Sequence, residues 1–479
     1  MLPPLIQGGM GIGVSSWRLA RAVSQAGALG VVSGTALDRV VAYRLQEGDP
    51  QGHMRWALSQ FPLPGVGQGV IQQWFQAEGL SAPGVYRQPA MIDHQPSAKT
   101  LALLVAANFV EVTLAKDGHS GPVGINLLEK SAAANLASLY GAMLAGVDVV
   151  LMGAGIPKDI PEALDALAQH QPAQLPLAVE GALPGERFHL HFDPAQVGDV
   201  PIEKRPALRR PVFLAVISSD VLAQSLHRST EGAVDGYVVE RHSAGGHNAP
   251  PRGARQGGEE LAYGPRDEAD LQRLKRLDRP FWLAGGQAHP SSLATAQALG
   301  AQGIQVGTAF AQCQESGLLP AIKSTIHQLR QSGRLQVRTD GKASPTGFPF
   351  KVAEIPGTLS DEAGYAARQR ICNMGYLRQP YRREDGSIGW RCAAEPEQQY
   401  RAKGGDPESC VGRKCLCNAL MAAIGHSGRG RNGQLELPLI TAGDGLAEIG
   451  LDDQDPNAPS AAEIVHRLSC GATCNTGSI

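Results

Sequence analysis

The 479-residue chain has no excess of charge of either sign: 43 Lys and Arg stand against 45 Asp and Glu, a formal net charge of −2. That balance leaves no electrostatic footprint for nucleic acid or for an anionic membrane. No apolar run approaches the roughly 20 residues that a membrane-spanning helix needs. The opening MLPPLIQGGMGIG has neither the basic start nor the long apolar core of a secretory signal. The sequence therefore predicts a cytoplasmic protein with neither nucleic acid nor membrane as partner. Cysteine is scarce until late: Cys313 stands alone, and Cys372, Cys392, Cys410, Cys415, Cys417, Cys470 and Cys474 all follow it. None of these makes the C-x2-C spacing of a zinc ribbon, so they read either as metal ligands or as buried or free thiols, and no metal site is assigned. A dinucleotide-binding fingerprint is missing as well, because the sixth place of G-x-G-x-x-G counted from Gly9 is Val14.

What the chain does contain is a stretch, Arg279 to Phe310, that reads as strand (Phe281 to Ala284), glycine turn (Gly285, Gly286), helix (Pro290 to Leu299) and strand (Gly303 to Val306) ending in Gly307-Thr308. Both strands are short apolar runs of the kind a parallel sheet buries on both faces. Glycine lets the backbone turn sharply and bring its N–H groups up to an anion, and phosphate is the usual one. Barrels of eight parallel strands often build a phosphate site from the loops after strands seven and eight. Six further strands precede this pair: Leu5 to Gln7, Leu29 to Ser33, Pro122 to Leu127, Val147 to Met152, Pro211 to Ile217 and Val234 to Glu240. Helical stretches lie between them, among others Ser16 to Ala26, Lys99 to Leu114, Ala132 to Ala145 and Ile160 to Ala168. The order predicts an α/β fold, a (β/α)8 barrel over residues 1–330, with a doubly wound open sheet as the alternative. Proline-broken insertions are expected near 36–100, over one end of the barrel, and near 175–210, where Phe188 to Phe192 alternates like a hairpin strand with surface histidines His189 and His191. Residues 331–479 form a cysteine-containing C-terminal extension, packed onto the barrel through Trp390, Leu416 and the run from Ala419 to Ile424.

The sixth strand runs directly into Glu240-Arg241-His242-Ser243-Ala244-Gly245-Gly246-His247-Asn248-Ala249-Pro250-Pro251. Gly245 and Gly246 let the backbone fold over a planar ligand, and the prolines forbid a helix that would carry the imidazole away. His247 at a barrel mouth suits acid or base work near neutral pH, or else it braces its own loop. Glu240, His242 and His247 could also form a metal site, although no second ligand motif joins them. Asn126, polar at the end of an apolar run, either reads the edge of a ring or bridges loops as a buried amide.

Gln7-Gly8-Gly9-Met10, Asn126 within GINL, Ala244-Gly245-Gly246-His247, Ala284-Gly285-Gly286 and the run from Gly303 to Thr308 together resemble the nitronate monooxygenases, formerly called 2-nitropropane dioxygenases, over roughly residues 1–330. The resemblance implies an FMN-dependent barrel that oxidises alkyl nitronates with O2 to carbonyl compounds and nitrite. Gly286, Gly307 and Thr308 would hold the FMN phosphate. Gly9, Met10, Asn126 and Gln305 would lie along the flavin, with Gly245, Gly246 and Gly285 in the turns about it and His247 as the catalytic residue. His242-Ser243-Ala244 departs from the acidic residue and Ala that commonly precede Gly-Gly-His in the family. Similar Gly-Gly-His barrels occur among NAD(P)H-dependent FMN enoyl reductases of fatty-acid and polyketide synthesis, which is the alternative function. A flavin-binding subunit without catalysis is a second alternative. The partners expected are a small-molecule substrate and O2, with the chain acting alone or as a homodimer.

Overall fold

The computed structural model describes residues 2–230, 233–252, 261–430, 432–447 and 458–470. Eight parallel strands form one sheet: β1 (Leu5–Gln7), β2 (Gly30–Ser33), β3 (Val123–Leu128), β4 (Val149–Gly153), β5 (Val212–Ile217), β6 (Gly236–Glu240), β7 (Phe281–Ala284) and β8 (Gly303–Val306). Each pairs with its neighbour in sequence, and β8 pairs with β1 through Leu5 opposite Ile304. The ring closes between β1 and β2 at an Ile6–Leu29 bridge, where Gln7 N donates to Leu29 O at 2.9 Å and Leu29 N to Leu5 O at 3.0 Å. This is the (β/α)8 barrel expected, and closure leaves the barrel sheet itself without an open edge.

Two apolar clusters follow from the two-residue period of a strand. Ile6, Val31, Val149, Leu151, Leu214, Val238 and Trp282 point inward and fill the barrel. Leu5, Val32, Ile125, Val150, Phe213, Tyr237, Leu283 and Ile304 point outward beneath the helices. Each such fully buried aliphatic or aromatic side chain stabilises the fold by about 1.5–3 kcal/mol. Contrary to the expectation that no apolar run approaches spanning length, the 19-residue helix Ala98–Lys116 is, among the described residues, long and apolar enough to cross a membrane, yet 72% of its most apolar stretch is buried, as befits a core helix of the outer ring. Helices Leu37–Gln46, His53–Ser59 and Val66–Trp74 of the first insertion pack on it instead of lying over a barrel end. The reason is composition: Leu37, Val40, Val41 and Leu45 recur at helical spacing and form one apolar face, which the helix neighbour covers. The second insertion holds the hairpin, Ala173–Leu177 against Phe188–Phe192, with His191 exposed and His189 half-buried.

The extension is tied to the barrel mouth by backbone hydrogen bonds. Strand Phe350–Ala353, antiparallel to Val337–Asp340, meets the loop after β6: Asn248 N donates to Pro349 O and Lys351 N to Gly246 O, both at 2.9 Å. Further along, Gly246 N donates to Thr441 Oγ1 at 2.8 Å and Gly443 N to Thr308 Oγ1 at 2.9 Å. Asp444 N reaches Ser243 O at 3.0 Å, and its carboxylate pairs with Lys351 Nζ at 2.6 Å. A buried ion pair fastens the extension internally, with Arg368 Nε and Nη2 on the two oxygens of Glu436 at 2.9 and 2.8 Å. Cys313, Cys372, Cys392, Cys410, Cys415 and Cys417 are free thiols, and among the described residues no group of three His, Cys, Asp or Glu could hold a metal ion. Cys474 lies outside the described residues.

Candidate active site

Above the apolar filling, the next inward positions at the C-terminal ends of the strands are polar: Ser33 follows Val31, Asn126 follows Gly124, Glu240 follows Val238 and Gln305 follows Gly303. They floor two adjoining chambers of about 490 and 150 Å³. Gly9, Gly245, Gly246, Glu240, Gln305 and Thr441 border both. The larger also holds Met10, Gly285, Gly286, Gly307 and Thr308, and the smaller holds Asn126 and His247. Of the residues that the sequence put forward for the site, all but His242 border one chamber or the other.

The larger chamber is lined by hydrogen-bonding groups that have no partner among the described residues. The N–H groups of Gly286 and Gly307 donate to no described residue. Gly285 and Gly286 have φ of +88° and +68°, a region that side-chain-bearing residues seldom enter, so the turn is written into the sequence. In the same chamber the buried Gln305 Oε1 lacks a partner among the described residues. A Cβ on Gly9 would stand 2.4 Å from Asn126 Cβ, so only glycine keeps the bed between them open. Such N–H groups without protein partners suit an anion such as a phosphate, and the amide oxygen without a partner suits the polar edge of a ring.

His247 borders the smaller chamber half-buried, with Nε2 2.7 Å from Ser344 Oγ and its ring edge-on to Phe350. Ser344 is fully buried and also contacts Thr346 Oγ1 at 2.8 Å. Burial, and then the nearby ammonium of Lys130, push the His247 pKa down to about 3, so the imidazole is neutral at ordinary pH. Lys130 itself, its Nζ 3.2 Å from the centre of the Phe348 ring, falls to about 8 through burial. Glu240 goes the other way: burial without a counter-charge raises it to about 7. His242 leaves the constellation by stacking on Tyr263, with ring centres 4.6 Å apart.

Sequence reasoning weighed Glu240 only as a metal ligand, although the period of two from Val238 already aims it into the mouth. It also missed Ser344, Tyr376, Cys417 and Thr441, which the extension contributes. Ser344, Tyr376 and Thr441 sit in loops and Cys417 near the start of helix Leu416–Ala422, and the placement of all four depends on long-range contacts that no local periodicity marks.

By sequence, no family model and no curated protein matches this chain. By chain path it is similar to the structure of FabK from Thermotoga maritima, at 16% identity over 98% of this chain and 92% of that one, with a TM-score of 0.49. It is also similar to nitroalkane oxidase from Streptomyces ansochromogenes, at 14% identity over 98% and 95% of the two chains, with a TM-score of 0.48. A third likeness is to the enoyl reductase domain of MlnA from the macrolactin biosynthesis cluster of Bacillus amyloliquefaciens, at 11% identity over 97% and 92%, with a TM-score of 0.46.

Proposed function

We propose that this protein is an FMN-dependent oxidoreductase that oxidises alkyl nitronates with O2 to carbonyl compounds and nitrite. One observation carries the reading: a 490 Å³ chamber with unpaired N–H groups at two glycine turns opens onto a 150 Å³ chamber that holds a neutral imidazole. The first suits FMN and the second suits a small substrate. FMN, when bound, supplies the two-electron acceptor and the place where O2 is reduced.

The chain's own residues bind, orient and exclude water. Gly286, Gly307 and Thr308 would hold the phosphate, and Gly9, Met10, Asn126 and Gln305 would bed the ring. His247 faces the substrate. If Ser344 donates to Nε2, the imidazole proton sits on Nδ1 and is available to a nitronate oxygen. Thr441 and its neighbours Leu439, Ile440, Ala442 and Gly443 wall the larger chamber, which supports a shared role for the extension and the barrel.

Anaerobic mixing tests the reading. Preformed ethyl nitronate should bleach the bound flavin, and NADH or NADPH should not. Bleaching by the pyridine nucleotides with no response to nitronate would instead assign the protein to the enoyl reductases. No response to any of the three would leave a flavin-binding subunit without this chemistry.

A further inference from the structure

Four titratable side chains border the smaller chamber: Glu240, His247, Tyr376 and Cys417. Three are spoken for. The Tyr376 hydroxyl donates to Asp38, and its pKa lies well above the ordinary value. Burial pushes the Cys417 thiol up to about 11. His247 has Nε2 tied to Ser344 and is held far below its ordinary basicity by burial and by Lys130. A base works best when its conjugate acid titrates near the working pH, and none of these three does.

Glu240 differs in placement as well as in chemistry. It is the last residue of β6, two beyond the inward-facing Val238, so its side chain rises from the barrel interior into the mouth. It borders the cofactor chamber and the substrate chamber together. No described residue hydrogen-bonds or ion-pairs with its carboxyl. A half-buried carboxyl without a partner costs stability, and such a cost is typically met where the group has a task.

We infer that Glu240 is the proton acceptor of the site, taking the α-proton of a neutral nitroalkane, and that His247 acts as a hydrogen-bonding partner of the nitro group. In this step the Cα–H bond breaks and the proton passes to a Glu240 carboxylate oxygen. The C–H electron pair becomes the C=N bond, and the displaced N–O π pair comes to rest on a nitro oxygen, giving the nitronate. No electrons leave the substrate, so no oxidant is needed. The inference rests on the nitronate-oxidising reading of the same chamber.

The test separates the two claims. FMN-loaded protein is held without O2 in D2O with nitroethane, and loss of the α-proton signal is followed by NMR. Flavin bleaching by preformed ethyl nitronate is measured in parallel. The wild-type protein should exchange the α-proton well above the solvent rate. Glu240→Gln should lower that exchange by about 100-fold, a typical loss for a general base, and lower bleaching by nitronate far less. Glu240→Asp, which keeps a carboxylate should the amide variant fail to fold, should retain measurable exchange. Wild-type exchange at the solvent rate alongside normal bleaching by nitronate would overturn the role of Glu240 and leave the function intact. Equal exchange in wild type and Glu240→Gln would also overturn it. Absence of both exchange and bleaching would remove the function and this inference together.

Discussion

Glu240→Gln should make the protein more stable at alkaline pH. The carboxyl moves from an ordinary 4.5 to about 7 in the folded chain because burial disfavours its charge. At 1.36 kcal/mol per unit, that shift corresponds to about 3 kcal/mol once both states have ionised. Glu240 is half-buried, and chamber water trims the figure toward about 2 kcal/mol. The sign is fixed by linkage. A folded pKa above the unfolded one gives stability that is complete below 4.5 and lost as pH rises through about 7. Unfolding entropy of about 2.1 cal/mol/K per residue gives about 1 kcal/mol per degree for a 479-residue chain. The expected gain in Tm is therefore about 2 °C at pH 8, shrinking to a few tenths of a degree at pH 4. The assay is a pair of thermal melts, wild type and variant, across that range with FMN saturating. An unchanged or lower Tm at pH 8 would refute the reasoning. A gain of equal size at every pH would trace it to packing and not to ionisation.

His247→Ala should keep FMN bound while lowering turnover of ethyl nitronate by about 100-fold or more, the usual cost of removing one hydrogen-bond donor from developing charge; steady-state rates per bound flavin measure it. The same variant should flatten the acid side of the pH–Tm curve. A folded pKa near 3 against 6.5 unfolded gives stability that is present above 6.5 and lost as pH falls toward 3. Gly9→Ala would set a Cβ 2.4 Å from Asn126 Cβ, an overpacking that costs about 1–3 kcal/mol. A fluorescence titration should show FMN affinity down by at least about tenfold. Arg368→Met would strand the nearly inaccessible carboxylate of Glu436, 1% exposed, and destabilise the extension by about 3–5 kcal/mol. Denaturant melts should show it, and replacing both partners with apolar residues should recover most of the loss.

How far the sequence could be read depended on whether a local rule governed the position. The eight barrel strands were legible because each is a short apolar run closed by Gly, Ser, Asn or Glu, and because β-sheet periodicity is local. The glycine turn at Gly285-Gly286 was legible for the same kind of reason, since only glycine takes that backbone path cheaply. Helix His53–Ser59 and strand Ala173–Leu177 escaped notice. The helix is two turns long, and the strand carries Pro176, which argues against a strand except at an edge. The contribution of the extension was the least readable part. Ser344 reaches His247 across 97 positions in sequence, and Thr441 reaches Gly246 across 195. Such contacts are set by chain topology and leave no trace in a window of neighbouring residues. The neutral state of His247 was hidden for the same reason, since it follows from burial under Ser344 and Phe350 and from the charge of Lys130.

Flavin binding decides the central claim most directly. Protein freed of cofactor and titrated with FMN should turn yellow and saturate at one FMN per chain, because the unpaired N–H groups of Gly286 and Gly307 suit a terminal monophosphate and no dinucleotide fingerprint is present. FAD should bind far more weakly. A protein that stays colourless at saturating FMN, or that takes FAD in preference, would contradict the assignment of the larger chamber and the oxidoreductase function built on it.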